Sequence, residues 1–253
     1  MGGTAPILLP RSLDDREAEK ARPADHRRGG LIGKLLAAQD VDVYKSPALR
    51  GRGERFVASF GPDARLLNVG AGATDYGPRV VNLEISAVPG ADVVGVAEAL
   101  PFADASFDGV VLEAVLEHVP DGDRTLREIH RVLTPGGQLY VDVPFIEGYH
   151  GSPEDFRRFT VGGLTAELER HGYSVQARGV SAGPASAVAW IMAEFLGLLL
   201  SGPRGVGYRY ARRLGLFIAW PLRFADRWLD RHPHADRIAS GVYAVGVRSP
   251  DVP

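Results

Sequence analysis

Two glycines that follow a short apolar run constrain this chain more than any other feature. Three such runs each end in a glycine or an acid: residues 66–69 before Gly70, 80–83 before Glu84, and 92–94 before Gly95. Short apolar runs that end this way are typical of buried parallel strands. Ligands of open α/β sheets bind outside the carboxyl ends of the strands, so we expect a site at that edge.

The residues at these strand ends indicate the kind of ligand. Glycines at positions 70 and 72 would let the backbone approach a ligand closely, because neither carries a Cβ. A carboxylate at the end of the next strand, Glu84, suits the two hydroxyls of a ribose. A nucleoside-type ligand is the natural interpretation.

Two alternatives compete with it. The Gly-x-Gly sequence is also common in plain tight turns, and dinucleotide-binding enzymes share the order of strand, glycine turn, strand and acid. Those enzymes place a third glycine three residues beyond the second and an acid about 20 residues on. Here position 75 is Asp, and Glu84 comes early. Residues 73–79 are also too few for a proper crossover helix, which counts against NAD.

Four motifs in order carry a resemblance to a known family. Residues 68–72, Asn-Val-Gly-Ala-Gly, resemble the first motif of class I S-adenosylmethionine-dependent methyltransferases. Residues 99–108, 115–119 and 128–137 resemble the small-molecule, type 11-like branch of that family. Together the motifs cover roughly residues 65–180 and leave both flanks uncovered.

The resemblance implies a cofactor, S-adenosylmethionine, and a set of residues around it. Glu84 would hold the ribose, the glycine turn would run along the amino-acid portion, and Ala97 and Glu98 would lie beside the adenine. The cofactor-binding residues that it implies are Asn68, Gly70, Ala71, Gly72, Glu84, Ile85, Ala97, Glu98, Leu112 and Glu113. The chain departs from the family at Asn68, where an acid is common, at Thr74, where a third glycine often lies, and at Val96, which replaces an Asp.

Composition excludes several other classes of protein. With 253 residues, 45% of them apolar, one elaborated core is expected. A net charge of -2 gives no reason to expect nucleic acid as a partner. The absence of cysteine excludes disulfide scaffolds, thiolate zinc sites and cysteine nucleophiles. The apolar stretch at residues 7–9 is too short for a signal peptide, so we expect a cytoplasmic protein.

The order of elements predicts an α/β fold with a doubly wound, mostly parallel seven-stranded sheet, Rossmann-like, whose last strand is antiparallel. Strands are predicted at 66–69, 80–83, 92–94, 107–112, 139–143, 173–180 and 239–247, with helices that begin after Asp121 and Thr160. We divide the chain into a mobile segment, 1–30, and one methyltransferase domain, 31–253. That domain comprises N-terminal helices at 31–62, a cofactor-binding core at 63–182, a helical insertion at 183–237, and the last strand and tail at 238–253.

The insertion at 183–237 has an unusual composition. Residues 185–200 are almost wholly apolar but fall short of the ~20 residues that span a bilayer. The residues after them mix aromatics with arginines, and Pro221 should kink whatever helix forms there. The pattern fits a cap over the active site or a homodimer face, and, after these, an interfacial helix on a membrane surface.

Methyl transfer from a sulfonium needs neither a metal nor a covalent intermediate, and we name no metal ligands. The protein must align the acceptor with the methyl group, and a base would help if the acceptor is a hydroxyl. His118 is the first base candidate because it follows the fourth strand on the ligand side. The alternative is that His118 only orders its loop through hydrogen bonds.

A second set of polar residues follows the fifth strand, at 144–160. It resembles a His-x-x-Pro-x-Asp-Phe-x-Arg-Phe-Thr segment of a subset of these methyltransferases, and it contains Tyr149, His150, Asp155 and Arg158. His150 could be the base with Asp155 as its orienting partner, or Asp155 and Arg158 could form a purely structural pair. Tyr149 and Arg158 are the predicted acceptor contacts.

Two hypotheses of function follow. The first is transfer of a methyl group from S-adenosylmethionine to a small-molecule acceptor, a hydroxyl of a sugar or natural product. The second is a non-catalytic member of the fold that binds a nucleoside ligand, or a protein partner through the insertion.

Overall fold

A computed structural model describes residues 49–72, 74–151 and 154–249. The predicted N-terminal segment 1–30, the part of the predicted N-terminal helices that falls within 31–48, and the last residues, 250–253, lie outside the described residues. The described part contains one sheet whose seven strands are β1 (Leu66–Val69), β2 (Val80–Glu84), β3 (Val93–Val94), β4 (Phe107–Glu113), β5 (Leu133–Pro144), β6 (Tyr173–Ala182) and β7 (Gly241–Arg248).

The sheet has the predicted doubly wound topology. Its strand order is β3-β2-β1-β4-β5-β7-β6, so the chain starts in the middle and winds outward in both directions. Strands β1 to β5 pair in parallel, whereas β7 lies antiparallel between β5 and β6. The predicted mixed sheet is therefore confirmed, and the carboxyl ends of β1, β2 and β4 meet at one edge.

The central strands are apolar because both faces of the sheet are covered. All four residues of β1 are buried. One face packs against α2 (Gly122–Val132) and α3 (Val161–Arg170) through Leu126, Ile129, Leu164 and Leu168. The opposite face packs against α1 (Arg52–Ala58) through Phe56 and Val57, which meet Tyr140 of β5. Burial on both sides removes the period-2 alternation of a half-exposed strand.

The predicted helix starts are also confirmed. The Asp121 side chain accepts a hydrogen bond from the Arg124 backbone N–H at 2.9 Å, and α2 begins at the next residue. Thr160 caps α3 in the same way through the Gly163 N–H, also at 2.9 Å. Both caps satisfy backbone donors that a helix leaves unpaired at its first turn.

Strand β5 begins earlier than the sequence predicts. It starts at Leu133 instead of residue 139, because Leu133 leaves α2 with extended backbone angles and pairs directly with Phe107 of β4. The register then shifts between Phe107 and Gly109, so residues 134–137, which the sequence assigned to no strand, form a bulged strand start. The preceding helix ends at Val132.

The insertion is helical, as predicted. It comprises α4 (Pro184–Ser201), α5 (Tyr208–Ala219), a 3₁₀ turn (Trp220–Ala225), α6 (Asp226–Leu229) and a second 3₁₀ turn (Ala235–Arg237). Pro221 lies at the start of the first 3₁₀ turn, where α5 ends. By length and composition alone, α4 could cross a membrane, since its 18 residues have a mean hydropathy of 1.5, but 44% of that stretch is buried in the protein.

Candidate functional site

The glycine turn after β1 is tied to β2 by backbone hydrogen bonds. The N–H groups of Gly70 and Ala71 both donate to the Leu83 carbonyl, at 2.8 and 3.3 Å. Gly70 and Gly72 have φ angles of 68° and 55°, which favour glycine. The Gly72 N–H donates to the Glu84 carboxylate. The structure therefore brings the predicted turn and the predicted acid together at one edge of the sheet.

Asn68 lies beneath this turn and not in the cleft above it. Its side chain is buried and donates to the Asn82 side-chain oxygen at 3.1 Å and, more weakly, to the Thr74 carbonyl at 3.5 Å. The residue that replaces the family's usual acid therefore joins β1, β2 and the turn to one another. The structure gives it an anchoring position behind the turn residues that face the open edge.

The Glu84 carboxylate is half-buried and acts as an acceptor. One oxygen accepts from Gly72 and the other from the Ile85 N–H at 3.3 Å. Ile85 keeps 42% of its surface exposed beside it. A hollow of about 410 Å³ lies nearby, and of the predicted cofactor residues only Gly72 lines it. That hollow is lined mainly by residues of the short β1–β2 connection and of β2 and the loop after it.

Ala97 and Glu98 lie on a loop that α2 holds in place. Glu128 accepts a hydrogen bond from the Leu100 N–H at 2.8 Å, and Arg131 donates to the Leu100 carbonyl at 3.0 Å. Arg131 also bonds to Glu128 itself at 2.8 Å. This ion pair lowers the pKa of Glu128, aided by the Leu100 N–H and opposed by burial. Sequence reasoning missed this support, although both residues belong to the 128–137 motif.

At the end of β4, Leu112 and Glu113 have different environments. Leu112 is fully buried in the core, whereas the Glu113 carboxylate accepts a hydrogen bond from the Tyr76 hydroxyl. Burial, together with the neighbouring charge of Glu113, raises the pKa of Tyr76 far above its usual range. Tyr76 belongs to the short β1–β2 connection and was not predicted. The sequence feature that could have indicated Tyr76 is its position as a single aromatic residue in a glycine-rich loop.

These residues fit an adenosine-type cofactor. A Cβ at Gly72 would meet no atom within 4 Å, so a ligand can approach the backbone there. Glu84 offers carboxylate oxygens to hydroxyl donors, and Ala97 leaves the neighbouring wall small. The hydroxyl donors of a ribose are thus matched by the Glu84 carboxylate, beside a stretch of backbone that a ligand can approach.

The loop after β5 is organised around Asp155. Arg158 donates to both of its carboxylate oxygens, and the His150 backbone N–H adds a bond of 3.0 Å. Burial alone would raise the pKa of Asp155, but these hydrogen bonds outweigh it and lower the pKa to about 2. The His150 ring nitrogen Nδ1 lies 3.7 Å from Asp155, beyond hydrogen-bond distance. The structural Asp155–Arg158 pair is therefore present.

His150 and His118, the two base candidates, lie side by side. Their rings meet edge to face with centroids 5.1 Å apart. His118 Nδ1 lies 2.6 Å from the Glu154 carbonyl, and because a carbonyl only accepts, Nδ1 carries the proton and Nε2 presents a lone pair. The Glu117 carboxylate raises the pKa of His150, with Glu147 and Asp155 adding to this effect, while burial lowers it.

Glu117 was not predicted, yet it lies at the centre of this cluster. Its side chain has no exposed surface, and its Oε1 atom lies 3.7 Å from His118 Nε2 and 3.8 Å from His150 Nε2. Its backbone carbonyl also accepts from Phe156 at 2.8 Å, which docks the β5 loop onto the β4 loop. The 115–119 motif contained Glu117, but a sequence alone does not show which of its residues turn inward.

Tyr149, a predicted acceptor contact, lies at the exposed rim of this histidine cluster, and the helical insertion touches the cluster from the other side. Tyr149 is 68% exposed, and its hydroxyl donates to Glu154 at 3.3 Å. On the other side of His150, the Trp190 ring of α4 lies with its centroid 5.8 Å away. Trp190 also fills the space beside Gly148, so the insertion touches the loop that carries the histidines.

Residues 66–141 match the family model of a methyltransferase domain. They are a class I, type 11-like methyltransferase domain. The matched range runs from β1 into β5 and includes the glycine turn, Glu84 and the Glu117–His118 pair. The cofactor of such a methyltransferase domain is S-adenosylmethionine.

Curated relatives match a short part of this methyltransferase domain. A ubiquinone/menaquinone biosynthesis C-methyltransferase, UbiE, of Hahella chejuensis is 58% identical over 45 residues, which are 18% of this chain and 18% of that protein. The corresponding enzyme of Klebsiella pneumoniae is 51% identical over 45 residues, with the same coverage. The match thus spans about a fifth of the length of these relatives.

Solved structures share the fold over most of their length. A Burkholderia thailandensis 1,6-didemethyltoxoflavin-N1-methyltransferase, solved with bound 1,6-didemethyltoxoflavin and S-adenosylhomocysteine, has a TM-score of 0.52 at 17% identity, covering 98% of this chain and 93% of that one. The [4+2]-cyclase SpnF has a TM-score of 0.51 at 19% identity, covering 86% and 92%. At these identities the likeness concerns the fold of the methyltransferase domain.

Proposed function

We propose that this chain transfers a methyl group from S-adenosylmethionine to a small-molecule acceptor, a hydroxyl of a sugar or natural product. The observation that carries the proposal is the hydrogen bond between the Gly72 N–H and Glu84, at the sheet edge that also carries Glu113. Two strand ends thereby present a bare backbone and a carboxylate to the same edge, which is the pairing that an adenosine requires.

The cofactor supplies a methyl group on a positively charged sulfur, which is already an electrophile. The chain's own residues then have to bind, align and exclude water. Glu84 would accept hydrogen bonds from the ribose hydroxyls, and Gly72 would leave room for the amino-acid portion of the cofactor. Aligning the acceptor with the methyl group can by itself contribute several kcal/mol, on the order of 7 or more in well-oriented reactions.

The acceptor would bind beside the two histidines, against the loop after β5. His118 suits the role of base because its Nδ1 proton is committed to the Glu154 carbonyl, which leaves Nε2 to accept a proton. His150 is the second candidate, and Glu117 favours its protonated form. Asp155 fixes the position of His150 through the backbone N–H, and Tyr149 and Arg158 complete the predicted acceptor wall.

The insertion would act as a cap on this acceptor site. Trp190 is only 4% exposed and packs beside Gly148 and the His150 ring. Its position supports the cap, which the sequence predicted alongside a dimer face and a membrane contact. A lid over the acceptor site would exclude water, so that the methyl group is transferred to the acceptor and not to a water molecule.

A second candidate function rests on the outer surface of the insertion. Several of its large apolar side chains are exposed, among them Phe195, Leu198, Leu199, Phe217, Ile218 and Trp228. Exposed apolar patches often mark surfaces that bind other molecules. A non-catalytic member of the fold would use this surface to bind a protein partner, and it would do so without methyl transfer.

Calorimetric titration of the full chain with S-adenosylhomocysteine tests the cofactor assignment. We expect micromolar binding that Glu84→Ala abolishes and that Glu169→Ala, an exposed glutamate on α3, retains. Thermal unfolding of both variants shows whether each is folded. Absence of binding to the unmodified chain would rule out methyl transfer and leave the partner-binding function.

A methyl-release assay with sugars and natural-product alcohols as acceptors tests the second half of the proposal. Loss of a general base should slow transfer by about 10²- to 10⁴-fold in His118→Ala or His150→Ala. If both variants retain the full rate, neither histidine is the base.

A further inference from the structure

Three potential ligand atoms converge at the carboxyl ends of β4 and β5. The Nε2 atoms of His118 and His150 both face Oε1 of Glu117, at 3.7 and 3.8 Å. These separations exceed hydrogen-bond distance, so the three groups point toward a shared space without bonding across it. All three ligand atoms lie within 4.8 Å of one another.

The Glu117 carboxylate is the observation that calls for an occupant. Its side chain has no exposed surface, and within the described part of the chain neither of its oxygens has a hydrogen-bond partner. A buried carboxylate without a hydrogen-bond partner is costly unless a cation neutralises it, and the imidazole of His150 lies 3.8 Å away, beyond hydrogen-bond distance. Arg158, the guanidinium of the adjoining loop, gives both of its terminal nitrogens to Asp155.

The outer nitrogen of His118 is held as that of a metal ligand usually is, because His118 Nδ1 donates to the Glu154 carbonyl at 2.6 Å. His150 Nδ1 lies 3.4 Å from the Gly148 carbonyl and 3.5 Å from the Arg158 guanidinium, and metal binding through Nε2 requires that its proton be on Nδ1, directed at the carbonyl. In metal sites such second bonds orient the ring and leave the inner nitrogen for the ion. Here the inner nitrogen is Nε2 in both rings.

We propose that Glu117, His118 and His150 bind one divalent first-row transition-metal ion. Two imidazoles and a carboxylate form a donor set that zinc and its neighbours accept, whereas magnesium and calcium prefer oxygen alone. Ligands ~2.0–2.1 Å from a tetrahedral ion stand about 3.3 Å apart, so each of the two separations between Glu117 and a histidine must shorten by about half an ångström. The side chains of His118 and His150 are 13% and 22% exposed, which gives the ion an entry route.

A second cluster in the same chain shows why this one is distinctive. Asp123, Glu167 and His171 also place three ligand atoms within 4.8 Å. There Arg170 donates to both carboxylates at 2.7 Å, so a cation is already built into the cluster. The second cluster therefore serves as an internal control that metal should not occupy.

The ion would hold an oxygen or nitrogen of the acceptor at its remaining coordination position. While the ion is bound, the Nε2 atoms of His118 and His150 would serve as ligands and not as bases, so the base role proposed above applies to the metal-free site. The ion's role in holding the acceptor rests on the proposed methyl transfer, whereas metal binding itself does not. Metal titration and the titration with S-adenosylhomocysteine can therefore fail independently of each other.

The test is metal binding by the full-length, tag-free chain after treatment with a chelator. We expect one equivalent of Zn²⁺ to bind, measured by competition with a chromophoric chelator, and Co²⁺ to produce visible absorption bands of a four- or five-coordinate site. Glu117→Gln, His118→Ala and His150→Ala should each weaken Zn²⁺ binding by at least about 100-fold, because loss of a ligand exceeds the 10- to 100-fold cost of losing an outer partner. His171→Ala should bind as the unmodified chain does.

Circular dichroism of each metal-free variant shows whether it folds. Should Glu117→Gln fail to fold, nitrogen NMR of the histidine rings in the unmodified chain gives the answer instead, since Zn²⁺ must shift the Nε2 signals of His118 and His150 and leave His171 unchanged. The proposal is overturned by no Zn²⁺ binding at 100-fold excess, by binding that the three ligand variants leave intact, or by equal loss in His171→Ala.

Discussion

The side chain of Val115 lies against the α-carbon of Gly70, in the space that a Cβ there would occupy. Val115 lies in the loop after β4, and Gly70 begins the turn after β1. The contact sets the distance between the loop that carries Glu117 and His118 and the turn that would bind the cofactor. Glycine at position 70 is therefore required by packing as well as by its positive φ angle.

Gly70→Ala should lower the free energy of unfolding by about 2–3 kcal/mol, since it combines overpacking against Val115 with a left-handed backbone. Gly72→Ala is the matched comparison, because its φ is also positive but its Cβ would enter open space. It should cost only about 1 kcal/mol. Urea unfolding measures both.

The double variant Gly70→Ala/Val115→Ala separates the two causes. Removing the valine methyl groups relieves the clash but not the backbone strain, so part of the stability lost in Gly70→Ala should return, relative to Val115→Ala alone. Simple additivity of the two single variants would show that the contact does not govern this position.

A second prediction concerns pH and the ion pair under the adenine-side loop. The hydrogen bonds from Arg131, and then that from Leu100, hold the pKa of Glu128 below its ordinary value against the effect of burial. A carboxyl whose folded pKa is depressed stabilises the fold above its unfolded pKa of ~4.3 and loses that effect as the pH falls through the folded value. Glu128→Gln should therefore cost about 2 kcal/mol at pH 7 and progressively less below about pH 4.

Chemical denaturation of both proteins at pH 7, 5 and 3 measures this difference. Glu169→Ala, an exposed change on α3, should show no such pH-dependent gap. A gap that stayed constant down to pH 3 would mean that the charge of Glu128 does not contribute.

The elements that the sequence predicted correctly are those whose signals are local. The caps at Asp121 and Thr160 bond three residues onward, so a short window contains both partners. Tyr76 and Glu113 are 37 residues apart, and no periodicity connects them. Glu117 and His150 likewise come from loops after different strands, 33 residues apart, so only the fold reveals that they lie together.

Trp190 should be the residue through which the insertion supports the acceptor site. Trp190→Ala removes a buried ring beside Gly148 and His150, and it should lower the free energy of unfolding by about 3–5 kcal/mol. Trp190→Phe should cost less and allow kinetics to be measured, with a raised KM for the acceptor and an unchanged affinity for S-adenosylhomocysteine.

Trp228→Ala is the matched control, because this tryptophan of the same insertion is 76% exposed. Its effect on stability should stay within about 0.5 kcal/mol. Equal losses of stability in Trp190→Ala and Trp228→Ala would contradict the proposal that the insertion caps the acceptor site.

The last prediction concerns the way the insertion is closed on itself. Asp226 is fully buried and accepts hydrogen bonds from the backbone N–H groups of Ala185 and Ser186, at 2.7 and 2.9 Å, and from the Ser186 hydroxyl at 2.7 Å. A carboxylate 40 residues away thus caps the start of α4, where the helix dipole favours negative charge. Asp226→Ala should lower the free energy of unfolding by about 2–3 kcal/mol, because it leaves buried donors unpaired.

Asp236→Ala is the control, because it removes an exposed acid of the same insertion, and it should change the free energy of unfolding by less than about 0.5 kcal/mol. Hydrogen exchange of the Ala185 and Ser186 amides gives the local readout, since both should exchange faster in Asp226→Ala while the amides of β1 and β4 keep their protection. Unchanged exchange at these two amides would show that the cap contributes nothing to the stability of α4.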